Sequence, residues 1–172
     1  LAPAVSALVH ELQKERGTSA GYVGSKGEKF KDRLPEQHKI TDAKLSGLTS
    51  AMGRFSAGHF GPGFKAKLEA AEGALKTLPD KRAAIVGLSI PVGEATGYYT
   101  GTIGKLLAVI EEMALVSRDA GVTKAIVAYV QLLHGKERAG QERATASGGF
   151  GAKKFEPALH RTFSQLIARQ EV

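Results

Sequence analysis

Apolar positions recur along this chain at spacings of three and four from one end to the other, and nowhere do they alternate with polar positions long enough to suggest a strand. The pattern predicts a first helix over residues 3–23, stopped by "GSKG". A second follows Leu34-Pro35 and carries Leu34, His38, Thr41, Leu45, Leu48, Met52 and Phe55 on one seam. "GHFGPG" (residues 58–63), with three glycines and a proline, ends it. A third helix carries Phe64, Leu68, Ala71, Leu75, Leu78 and Ile85, with a kink expected at Leu78-Pro79 because a residue before proline is pushed out of the helical region. After the turn "LSIPVGE" (88–94), a fourth helix runs to about residue 117 with Tyr99, Ile103, Leu106, Ile110 and Met113 inward. "RDAG" (118–121) separates it from a fifth, expected to end in "SGG" (147–149). The last starts near Glu156-Pro157, with proline in a favoured first-turn position, and carries Leu159, Phe163 and Leu166.

The expected fold class is therefore all-α, an antiparallel up-and-down bundle of about six helices in one domain over residues 1–172. Alternating directions bring both chain ends to one side, and helical pattern reaches both ends from Leu1 onward. The expectation is a domain excised from a larger, membrane-anchored protein. The 21 glycines, many inside helices, each cost up to about 1 kcal/mol relative to alanine, which implies close helix approach and modest stability without a ligand.

Two arginines interrupt the apolar pattern. In the first helix Val5, Val9 and Leu12 continue into Arg16, Ser19 and Val23. In the fifth, the spacing of four and three runs through Ala125, Tyr129, Leu132, Lys136, Ala139, Arg143, Ala146 and Phe150. Both arginines sit among Gly, Ala, Ser and Thr, in "QKERGTSAG" and "GQERATASGG". Small neighbours leave room, and a buried guanidinium cannot shed its proton, so it needs a carboxylate or a bound anion. Internal ion pairing would draw on Glu15, Glu142 or Glu137. Glu15 and Glu142 precede their arginines by one residue and so point about 100° away around the helix.

Composition narrows the function. The chain is 42% hydrophobic and 24% charged, ordinary for a globular protein. The net charge of +7 suits an anionic partner, but the charges are scattered and the dense run "KGEKFKDR" (26–33) alternates in sign, as a solvated face does. With aromatics at 6% and no Trp, a base-stacking surface is not expected, and nucleic acid is not an expected partner. The absence of Cys removes disulfides, thiolate metal sites and thiol nucleophiles. No Gly-x-Ser-x-Gly elbow, phosphate loop or Glu-x-x-His pair is present, and the five histidines are dispersed. Neither an enzyme, a metal site nor a cofactor is expected.

"LVHELQKERGTSAGYV", "TDAKL", "YYTGTIGKLL" and "KERAGQERA", in that order and over most of the chain, resemble the nitrate- and nitrite-sensing (NIT) domain family. Its members are helical ligand-binding modules of bacterial chemoreceptors, sensor kinases and nitrate-responsive antiterminators. The resemblance implies that one arginine in each of the two Glu-Arg motifs binds nitrate, which by position are Arg16 and Arg143. Nitrate is planar, and a guanidinium fork can donate two parallel hydrogen bonds to two of its oxygens. Ser19 and Thr18 would add hydroxyls, and Lys136, on the seam of Arg143, joins the candidate ligand-binding set. The hairpin model puts both arginines on parallel helices. A receptor of this kind would be periplasmic, homodimeric, flanked by transmembrane helices and joined to a cytoplasmic signalling domain. The alternatives are a cytoplasmic regulator, and a structural or dimerisation bundle in which both arginines are simply ion-paired.

Overall fold

A computed structural model describes residues 1–53, 60–117 and 119–168. Phe55 and residues 58–59 of the expected break lie outside the described residues. Among those described, the chain forms seven helical segments and no strand: α1 (Ala2–Gly24), α2 (Arg33–Gly53), α3 (Gly61–Lys76), α4 (Leu78–Val86), α5 (Val92–Val116), α6 (Ala120–Ala152) and α7 (Pro157–Ala168). The class is the expected one, a helical bundle. The count rises by one because the third helix divides at Thr77, one residue before the expected Leu78-Pro79 kink. Pro79 has no N–H to donate, and its ring crowds the carbonyl four residues back.

Three helices form the centre: α1, α5 and α6 pack on one another, α2 packs on α1, α3 on α5, and α7 on α6. The buried apolar residues are contiguous, with Val5, Leu8, Val9 and Leu12 of α1 against Tyr99, Ile103, Leu106, Leu107 and Ile110 of α5. Contacts run in step along α1 and α6, from Gln13 on Glu137 to Ser147 on the Gly17 carbonyl and Gly24 against Gly148. The two helices are therefore parallel, as the hairpin model expected.

α6 continues past "SGG" to Ala152 because those glycines are packing positions. A Cβ on Gly24 would fall 2.5 Å from the Gly148 carbonyl oxygen, and a Cβ on Gly148 would fall 2.8 Å from a Val92 methyl. Only glycine lets the α1 and α6 backbones meet there under the Val92 side chain, and that contact offsets its poor helix propensity. The helix stops where Lys153 adopts the left-handed conformation (φ 54°) and Lys154 N–H returns to the Gly149 carbonyl at 3.0 Å. At its other end Asp119 accepts the Val122 N–H at 2.7 Å.

The inward face of α6 differs from the expected one by a single residue. Val130, Leu133, Glu137, Gly140, Ala144 and Gly148 are buried, whereas Leu132 is 68% and Phe150 67% exposed. Arg143 is exposed and Lys136 half-buried. The expected burial of Arg143 is thus corrected. α1 approaches along the smallest residues of α6, and that row runs through Gly140, Ala144 and Gly148 rather than Ala139, Arg143 and Ala146.

Candidate anion site between α1 and α6

Arg16 is fully buried, as its place on the α1 seam predicts. Its fork meets Glu137 of α6, with Nη1 donating to Oε1 at 2.5 Å and Nη2 to Oε2 at 3.2 Å. Nη1 also donates to the Thr100 hydroxyl of α5 at 2.8 Å. Gln13 Nε2 donates to Glu137 Oε2 at 2.8 Å, and Gln141 Nε2 to Glu137 Oε1 at 2.9 Å. One carboxylate therefore receives four N–H donors from two helices. Arg16 Nε and Gln13 Oε1 are buried with no hydrogen-bond partner among the described residues.

Two clefts flank this centre, and Ala144 lines both. The first, about 400 Å³, holds Arg16 with Thr96, Thr100, Gln141, Thr145 and Gln165, so its polar groups are neutral except for the guanidinium. The second, about 380 Å³, holds Arg143, Thr18, Lys14, His10 and Arg33 around Gln13 and Gly140. The two candidate arginines thus line different clefts rather than one cavity. The wall between them is thin, since a Cβ on Gly140 would lie 2.7 Å from Arg16 Nη2.

The other candidates divide in the same way. Thr18 lines the second cleft, although its hydroxyl already donates to the Lys14 carbonyl at 2.9 Å. Ser19 is buried on the α5 side, 3.5 Å from the Tyr99 hydroxyl. Lys136 Nζ donates to His10 Nδ1 at 3.0 Å, which requires that nitrogen to be unprotonated because an ammonium accepts nothing. Burial first, then the charges of Lys136, Lys14 and Arg143, hold His10 below its usual pKa. Burial and the Arg143 charge lower Lys136 likewise. Arg143 has no ion pair or hydrogen bond among the described residues. The second cleft therefore opens in a positive field that would draw in a small anion.

A second buried network escaped the sequence reading. Glu15, wholly buried, accepts Arg82 Nε at 2.8 Å and Nη2 at 2.9 Å from α4, and the Tyr99 hydroxyl donates to it at 2.7 Å. Arg82 Nη1 reaches Asp42 of α2 at 2.6 Å. Burial alone would raise the Glu15 carboxyl, but the hydrogen bonds from Arg82, Thr41 and Tyr99 and the Arg82 charge outweigh it and hold it below its usual value. Glu15 does not pair with Arg16, as the 100° offset between adjacent helix residues predicts. No sequence signal tied it to a residue 67 positions away.

His38, beside this network, is also held below its usual pKa, by burial first and then by the opposing effects of Glu15 and Arg82. Two histidines whose folded pKa lies under the ordinary 6.5 bind protons less readily in the folded chain than in the unfolded one. Stability is then complete above that value and is lost as pH falls through it towards the depressed folded values. The urea midpoint should be lower at about pH 5.5 than at about pH 7.5, and the His10→Gln/His38→Gln variant should flatten the difference. Equal slopes in parent and variant would assign the pH dependence to other groups.

The site is thus a guanidinium buried between two parallel helices of an all-α domain, with a neutral polar cleft on one side and a cationic cleft on the other. The chain belongs to the nitrate and nitrite sensing (NIT) family, whose model matches residues 7–172. It is 29% identical over 173 residues to the nitrate regulatory protein of Klebsiella oxytoca, an alignment covering 99% of this chain and 43% of that protein. Its fold is that of the solved NasR transcription antiterminator, with a TM-score of 0.89 and 29% identity over 98% of this chain and 46% of the other. The chain spans less than half the length of each relative.

These relatives correct two expectations. Neither is a chemoreceptor by name, and both are regulators, so the periplasmic receptor with flanking transmembrane helices has no support while the regulator alternative has. Among the described residues no helix is long and apolar enough to cross a membrane. The expectation of no nucleic-acid partner has no support from a relative that is a transcription antiterminator. A transcription antiterminator acts on transcription, and more than half of that protein lies beyond the matched part.

Proposed function

We propose that this domain is a non-enzymatic sensor that binds nitrate, or nitrite, between α1 and α6 and passes occupancy to the rest of a regulatory protein. The observation that supports it most is the Arg16 fork, buried where two parallel helices meet, in a chain matched by the family model over residues 7–172. In this reading Arg16 supplies the planar pair of donors. Arg143 and Thr18 line the cationic, hydroxyl-bearing approach on the other side of Gly140, Lys136 adjoins it through His10, and Ser19 supports the α5 side through Tyr99. Because α1 and α6 hold the site from opposite sides, an anion that binds one helix arrangement better than the other shifts the balance between them. A second copy of the full-length protein would pack on the exposed apolar side chains Leu115, Val122, Val127 and Leu132, where α5 gives way to α6.

A ligand that binds only the folded state stabilises it by about 2.7 kcal/mol at a hundredfold excess over Kd. For a domain of this size nitrate should raise the melting temperature by about 5–10 °C. Chloride at equal ionic strength should not. An identical rise with both salts would indicate general screening of the +7 charge and would remove the nitrate site. The purely structural bundle predicts no anion-specific rise.

A further inference from the structure

The donors around Glu137 form a cradle suited to any planar oxyanion. Arg16 Nη1 and Nη2, Gln13 Nε2 and Gln141 Nε2 converge on two oxygens, and the Thr100 hydroxyl, which accepts from Nη1, keeps a proton to donate. In the structure those two oxygens belong to Glu137, a side chain of the bundle itself. A carboxylate and a nitrate share the features the cradle reads: a planar group, a single negative charge, and two oxygens spaced for one guanidinium fork.

We infer that Glu137 is a tethered competitor, whose carboxylate occupies the oxyanion cradle when the sensed anion is absent and must leave it when that anion binds. This inference rests on the sensing role proposed above and adds to it the device that sets affinity and carries the signal. Arg16 belongs to α1 and Glu137 to α6, so the occupied cradle ties the two helices together by an ion pair. A free anion in the same donors satisfies Arg16, Gln13 and Gln141 without that tie. Gln13 and Gln141 lie on different helices and would hold either occupant, so the exchange keeps the buried donors satisfied while replacing the direct Arg16–Glu137 ion pair by a bridge through the anion. The cost of expelling Glu137 is subtracted from intrinsic affinity, as for any site whose competent state is a fraction of the whole. Free carboxylates such as formate would compete for the same donors.

Isothermal titration of nitrate into the parent, Glu137→Gln and Glu137→Asp proteins tests this. Glutamine keeps the shape but withdraws the competing charge. Aspartate keeps the charge but draws the carboxylate back by one methylene, so it preserves the internal ion balance even where the neutral variant folds poorly. The expected result is tighter nitrate binding in both, by about tenfold or more for Glu137→Gln, together with a larger nitrate-induced rise in melting temperature. If the parent binds nitrate and both variants bind it equally or more weakly, Glu137 is a plain structural partner of Arg16 and the competitor role is overturned, with sensing intact. If neither the parent nor either variant binds nitrate, the sensing role itself fails and this inference falls with it.

Discussion

Replacing Arg82 with alanine should destabilise the domain by about 3–5 kcal/mol, the usual cost of removing one partner from a buried ion pair. Glu15 is fully buried, and two of its hydrogen bonds come from this guanidinium. The Tyr99 hydroxyl and the neighbouring Thr41 would be left to satisfy it, with His38 Nε2 3.7 Å away. Arg82 also anchors α4, a helix of nine residues that is too short to persist without tertiary contacts. Urea unfolding measures the loss. The Glu15→Gln/Arg82→Ala double variant should recover a large part of it, because a neutral amide is cheaper to bury than an unpaired carboxylate. A loss below about 1 kcal/mol for Arg82→Ala would mean that the pair behaves like an exposed one.

Arg16→Lys should cost about 1.5–3 kcal/mol of nitrate affinity, roughly tenfold to a hundredfold, although the positive charge is retained. An ammonium is a compact point charge and presents no planar pair of donors. It cannot span two oxygens of Glu137 or of nitrate and reach Thr100 as well, as Nη1 and Nη2 do together. Titration calorimetry with nitrate against both proteins reads the effect directly. Equal affinity in the lysine variant would show that charge alone binds the anion, and the planar-fork argument would have to go.

What the sequence made legible follows from how local each signal is. The bounds of α1, the stop at "GSKG", the start of α7 at Pro157 and the inward residues of α5 rest on periodicity and on Gly and Pro chemistry, which act over a few residues. Arg16 was readable as buried because Val5, Val9 and Leu12 below it and Ser19 above it leave the α1 seam no other orientation. The parallel run of α1 and α6 followed from counting short turns.

The α6 face was not readable, because two seams one residue apart have the same spacing. The seam through Leu132, Lys136 and Arg143 contains more apolar residues than the one through Leu133, Glu137 and Ala144. A glutamate at the centre of the true seam made that seam look like the solvated side. Only packing distinguishes them: α1 can approach where Gly140, Ala144 and Gly148 present almost no side chain, and the rotation that permits this carries Glu137 to Arg16 and Arg143 outward to the second cleft. The sequence by itself thus determined an all-α bundle with a guanidinium buried on its first helix. The tertiary structure alone decided which groups meet that guanidinium. Charge partners such as Glu137 and Arg82 lie 121 and 67 positions from the residues they satisfy, and no local propensity records contacts closed over such distances.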